Sequence, residues 1–249
     1  MFRLTPNDLV RIWETGERQT PVERCVTILS SACSDRTFDQ WLDLSLGQRD
    51  RLLLRLRQWL FGPQLNGFID CPQCDGRMEF TFGIPQVCRS ETKELTSVFT
   101  SNEHVLSAGG FEVRFRLPRS RDLLSISSDS NPEQVSRFLA RSCLESAYCN
   151  GNAVGVDDLP DKVVLQLAAR VVECDPLQEI LLDMTCPACN QHWQPLLDIG
   201  QFLWEEVAAY ARRLLREVHT LARAYGWREE EVFALSARRR QAYLELVGS

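Results

Sequence analysis

Hydrophobic positions along this chain recur with two periods. At each end the period is helical. Leu46, Leu53, Leu56 and Leu60 line one face of LGQRDRLLLRLRQWLF, with Arg49, Arg55 and Arg57 elsewhere. Ser45 with Gln48 three residues on forms a capping box before this run, and Gly62-Pro63 ends it. Two shorter helices are predicted upstream, one following Pro6 through Glu17 and one from Pro21 through Ile28. The longest stripe comprises Leu203, Val207, Tyr210, Leu214, Val218, Leu221 and Tyr225, capped by Asp198 with Gln201 at N3. Such a helix must bury one face against another element or another chain. Gly226-Trp227 breaks it, and Glu229–Leu235 and Ser236–Val247 read as two short helices.

Between Pro63 and Asp198 the dominant period falls to two. Met78, Phe80 and Phe82 alternate with polar residues, as do Phe111, Val113, Phe115 and Leu117, and again Ile180, Leu182 and Met184. Gly109-Gly110 supplies a turn, and Trp193–Leu197 reads as a returning strand. Helical segments interrupt the strands. Arg119–Ile126 is a short one, followed by a polar break at Ser127–Ser130. Asn131, Pro132 and Gln134 open a helix to about Ala147, and Pro160 opens another through Cys174, stopped by Asp175-Pro176. The intervening CNGNAVGVDD reads as a loop.

Composition narrows the class. In 249 residues, 44% are hydrophobic and 25% charged, as in a folded, water-soluble protein. The net charge of −6 argues against a nucleic-acid partner, because phosphate binding calls for a basic stripe. The arginines of the C-terminal segment are matched almost one for one by glutamates, which argues against a DNA-binding helix pair there. No apolar run reaches the roughly 18 residues of a membrane span, and the N-terminus lacks a signal-peptide core, so a cytoplasmic protein without a membrane span is expected.

The chemistry lies in two copies of C-P-x-C, Cys71-Pro-Gln-Cys74 and Cys186-Pro-Ala-Cys189. Paired cysteines on a tight turn aim two thiolates at one metal, and structural zinc wants four at about 2.3 Å in a tetrahedron. The flanks match as well: FID precedes and RMEF follows the first copy, LDMT precedes and HWQPLL follows the second. Cys71, Cys74, Cys186 and Cys189 are thus expected to hold one structural Zn between two β-knuckles. A redox pair is the competing use of these thiols, but it belongs at a helix N-terminus in a βαβ setting, which neither copy has. Cys25, Cys33, Cys88, Cys143, Cys149 and Cys174 read as small buried hydrophobes. His192, His104 and His219 belong to no recognisable catalytic set, and no phosphate-cradling loop or nucleophile elbow is present, so no enzyme or small-molecule substrate is expected.

These elements define an α+β fold. Residues 1–62 form a helical N-terminal region, 63–198 a small antiparallel zinc-ribbon-like β-core with a helical insertion, and 199–249 a long helix plus short helices. Trp227, Tyr243, Arg238, Arg239 and Arg240 are the expected partner-binding residues, since Trp, Tyr and Arg dominate interface energetics.

Several stretches resemble a known family. DPLQEILLDMTCPACNQHWQPLLDIGQFLWEEV and the segment LLREVHTLARAYGWREEEVFALSARRRQAYLELV are similar to baseplate-associated proteins of contractile phage tails and phage-tail-like injection systems. LSLGQRDRLLLRLRQWLFGPQL, CPQC, MEF and FRLPRSRDLL extend the likeness, which is to the baseplate hub assembly proteins of T-even-type phages and covers roughly residues 45 to 249. The resemblance implies an assembly factor or minor structural subunit that contacts hub, spike or tube proteins, either as a cytoplasmic factor or incorporated in the assembled particle. Where the family often has glycine after the first knuckle, this chain has Asp75, and Asn190 holds the equivalent place in the second. The alternative is a zinc-containing thiol redox protein or redox-sensing chaperone.

Overall fold

The structure, a computed structural model, describes residues 4–87, 104–126 and 132–248. Helices α1 (Pro6–Gly16), α2 (Pro21–Ala32), α3 (Phe38–Leu42) and α4 (Leu46–Phe61) precede the hairpin of β1 (Gln64–Asp70) and β2 (Arg77–Gly83). Then follow α5 (Ile84–Val87), β3 (His104–Ala108), β4 (Phe111–Phe115), α6 (Ser120–Leu123), α7 (Pro132–Cys143), β5 (Leu144–Cys149) and β6 (Asn152–Ala153). The chain continues through α8 (Asp161–Cys174), β7 (Met184–Thr185), β8 (His192–Trp193), α9 (Ile199–Tyr225), α10 (Glu229–Ala234) and α11 (Ala237–Gly248). The fold is α+β, all its described strand pairings are antiparallel, and its longest helix lies near the C-terminus.

Two compact units emerge, one formed by residues 1–37 and 200–249, the other by 38–199. The sequence reading cuts the chain at 62/63 and 198/199. In the structure α4 lies in the second unit: Asp175 accepts the Gly47 N–H at 2.9 Å, fastening the start of α4 to the turn that follows α8.

In the first unit, helix starts are set by side-chain caps. Thr5 Oγ1 accepts the Asp8 N–H while the Asp8 carboxylate accepts the Thr5 N–H, and Thr20 with Glu23 repeats this at α2. The α9 stripe buries as its spacing predicts: Leu203, Val207 and Leu221 are fully buried and Leu214 is 1% exposed. Val10 of α1 packs with Ala211 and Leu214, flanked by Trp13, Tyr210 and Phe233. Each such side chain contributes about 1.5–3 kcal/mol by leaving water. Beyond Gly226, in the left-handed conformation at φ 69°, Ser236 Oγ accepts the Arg239 N–H to cap α11. α2 continues past Ile28 to Ala32, itself buried.

In the second unit β3–β4–β5–β6 form one sheet. Val113, Phe115 and Ala147 of that sheet bury against Val163 and Leu167 of α8. Here the expected helix to Ala147 is corrected: α7 stops at Cys143 and residues 144–149 form β5. Pairing with β4, Val113 opposite Ala147, places Ala147 in the core, and this long-range ladder overrides local helical character. The expected loop after it holds a hairpin, with Asn150 and Gly151 at φ 50° and 85° and Cys149 opposite Asn152. The Ile180–Met184 alternation is kept in burial, but its ladder is short: a Leu181–Leu196 bridge, then β7 on β8. Arg57 of α4 is buried and donates to the Gly62 carbonyl at 2.7 Å, while Trp59 stays exposed. Ser127–Ser130, Asn131 and Cys88 lie outside the described residues.

Candidate metal centre

Each C-P-x-C forms the tip of a hairpin. β1 and β2 pair from Gln64 opposite Gly83 to Asp70 opposite Arg77, leaving residues 71–76 as the turn. β7 and β8 pair Met184 with Trp193 and Thr185 with His192, leaving 186–191, a turn of equal length. The two turns share their internal bonds. The Asp75 N–H donates to the Cys71 carbonyl and the Asn190 N–H to the Cys186 carbonyl, both at 2.9 Å. In return the Cys71 N–H reaches the Gly76 carbonyl at 3.1 Å, and the Cys186 N–H reaches the Gln191 carbonyl at 2.9 Å. Closing such a turn requires a left-handed residue after the second cysteine, and Asp75 and Asn190 take it at φ 54° and 59°.

The hairpin tips face one another. Cys71 Sγ lies 3.6 Å from Cys189 Sγ and Cys74 Sγ 3.7 Å from Cys186 Sγ, and all four sulfurs fall within 4.8 Å of one another. Four sulfurs at about 2.3 Å from a tetrahedral ion stand about 3.8 Å apart, so the spacing fits one metal. Cys71 and Cys186 are buried, whereas Cys74 and Cys189 are exposed.

The electrostatics also suit a cation. The backbone N–H groups of Cys189 and Ala188 pull the Cys186 thiol down to about 7. Cys189 feels the Gln191 N–H in the opposite sense to burial and its neighbouring thiols, which prevail and push it up to about 12. The thiols thus hold protons through hydrogen bonds to one another, and a metal ion bound by the thiolates would release those protons.

No histidine joins this cluster. His192 lies against Thr185 Oγ1 at 3.1 Å, His104 stacks on Phe115 at 5.4 Å between ring centroids, and His219 is exposed. Among the scattered cysteines, Cys25 and Cys143 are buried while Cys33, Cys149 and Cys174 are partly so. Burial pushes the Cys143 thiol up to about 12, leaving it inert.

The residues expected to bind a partner divide. Trp227 stacks on Tyr225 at 4.8 Å and meets Tyr243 edge-on at 4.8 Å, forming a partly exposed aromatic cluster at the end of α9. Tyr225, the last residue of the α9 stripe, completes it, meeting Tyr243 edge-on at 5.6 Å. Arg238 and Arg239 are exposed. Arg240 is corrected to an interior role: it is 2% exposed, donates to Glu217 at 2.8 Å and to the Leu235 carbonyl at 2.7 Å, and ties α11 to α9.

No described helix is long and apolar enough to cross a membrane. Two matched hairpins presenting four sulfurs to one point define a shared four-cysteine clip. The profile of the T4 bacteriophage base plate protein family matches residues 7–204, most of the chain, and the protein belongs to that family. No curated protein and no solved structure matched it.

Proposed function

We propose that this chain is a non-enzymatic assembly factor or minor structural subunit of the baseplate hub of a contractile phage tail or phage-tail-like injection system, with one structural Zn in its four-cysteine clip. The family match over residues 7–204 carries this reading. Four protein thiolates leave a zinc ion no open position, so the metal stabilises and does not catalyse. It joins two hairpins far apart in sequence and so closes a long loop of chain. Contacts with hub, spike or tube proteins are then assigned to Trp227, Tyr243, Arg238 and Arg239. Nucleic acid is a poor partner for a chain of net charge −6. Both C-P-x-C turns sit at hairpin tips and not in the βαβ setting of a thioredoxin-like pair, which disfavours the thiol-redox alternative.

The test is metal content of the purified protein, with and without Cys71→Ser and Cys186→Ser, together with co-purification with the neighbouring tail proteins. One Zn per chain, lost in either variant, with a baseplate protein captured through Trp227, supports the reading. Zinc retained after one knuckle is broken would remove the shared site. Release of zinc by mild oxidant with Cys71–Cys74 or Cys186–Cys189 disulfides would favour redox sensing.

A further inference from the structure

Within the second unit lies an apolar cleft of about 280 Å³ that includes none of the four clip cysteines. Leu139 and Cys143 of α7, Leu167 and Val171 of α8, and Leu46 at the start of α4 form its walls. Leu196 lines it too, yet remains 61% exposed, and it is bridged in antiparallel register to Leu181, which is 48% exposed. Bridged residues project to the same side, so the two leucines carry an apolar surface out of the cleft onto the protein exterior.

Among the described lining residues the polar ones are Gln178 and Glu179, and none is basic. Among the described residues the exposed Glu179 carboxylate has no ion-pair partner. An apolar depression with an unpaired negative charge is complementary to an apolar anchor flanked by a cation. The volume falls just below the roughly 300–1,000 Å³ of sites that enclose a drug-sized molecule, and so suits inserted side chains better.

We propose that this cleft is a docking site for a short segment of a partner protein that inserts apolar side chains between α7 and α8 and sets a Lys or Arg against Glu179. The site is distinct from the aromatic cluster at Trp227 and goes beyond the baseplate reading. Its test requires no baseplate component, so the two can fail separately.

A yeast-displayed library of random peptides is selected on the purified full-length protein. Enriched sequences should carry spaced apolar residues beside a Lys or Arg. Their binding should fall about tenfold or more in Ala168→Phe, which fills the cleft from an exposed helix position, and in Leu196→Asp at the rim. Selection on Glu179→Lys should enrich peptides with Asp or Glu in place of the basic residue. No enrichment, binders that keep their affinity in Ala168→Phe and Leu196→Asp, or an unchanged charge preference on Glu179→Lys would each overturn the proposal.

Discussion

Gly16 lies directly beneath the ring of Trp204: a Cβ built on it would stand 2.3 Å from Cζ3 and 2.5 Å from Cη2 of that indole. Trp204 is 6% exposed, and the Arg24 guanidinium covers its ring at 4.6 Å while Arg24 Nε donates to the Gly16 carbonyl at 2.8 Å. A large ring held on two sides has little room to retreat. Gly16→Ala should therefore destabilise the protein by about 1–3 kcal/mol, the usual cost of overpacking. Urea unfolding measures it, and a midpoint equal to wild type would show that the ring is not confined.

Arg240 and its neighbours Arg238 and Arg239 should part company on substitution. Arg240 donates to Glu217, which also meets Arg213 at 3.6 Å, and to the Leu235 carbonyl, so its removal should cost about 1.5–3 kcal/mol, the range of hydrogen bonds to charged groups. Arg240→Ala should thus lower stability sharply, whereas Arg238→Ala and Arg239→Ala, at exposed positions, should stay within about 0.5 kcal/mol of wild type. Thermal unfolding of the three variants decides this. Equal, small effects would return Arg240 to the surface.

Local signals were the legible ones. The Ser45–Gln48 capping box starts α4 as its spacing implies, the α9 stripe buries from Leu203 to Leu221, and each cysteine knuckle is written in a few consecutive residues. What eluded the sequence depends on distant partners. Leu144–Ala147 reads as more of α7 until β4 lies beside it, although the Asn150-Gly151 dipeptide marked a hairpin just beyond. Arg57 and Arg240 look like solvent-facing charges, because the Gly62 carbonyl and Glu217 that receive them become neighbours only on folding. The cysteine set was readable, but the pairing of Cys71 with Cys189 across the clip was not.

Asp75 and Asn190 occupy backbone positions that glycine enters without steric cost. Asp75→Gly and Asn190→Gly should leave metal binding intact and change stability by less than about 1 kcal/mol. A β-branched residue cannot follow them there, so Asp75→Val should weaken metal retention. Competition against a chromogenic chelator would show this; equal retention by the Gly and Val variants would mean that the left-handed turn does not govern the clip.

Acid should loosen the second unit through Asp122. Burial alone would raise its pKa, but Arg116, bonded through two nitrogens at 2.7 and 2.8 Å, and the Arg119 N–H at 2.8 Å lower it below the ordinary value. A carboxylate with a lowered folded-state pKa contributes stability that is fully present above its unfolded value of about 3.9 and is lost as pH falls through the folded value. Asp122→Asn should therefore cost about 1–3 kcal/mol at neutral pH, in line with hydrogen bonds to a charged group, and progressively less on acidification below about pH 4. Asp50 works the other way. Burial raises its pKa more than Arg49 lowers it, so its charged form costs stability at neutral pH and protonation relieves that cost. With Asp122 replaced, this opposing contribution of Asp50 should emerge as a shallower acid limb in urea midpoints measured across pH. An acid limb as steep as that of wild type would mean that the Arg116–Asp122 pair does not set it.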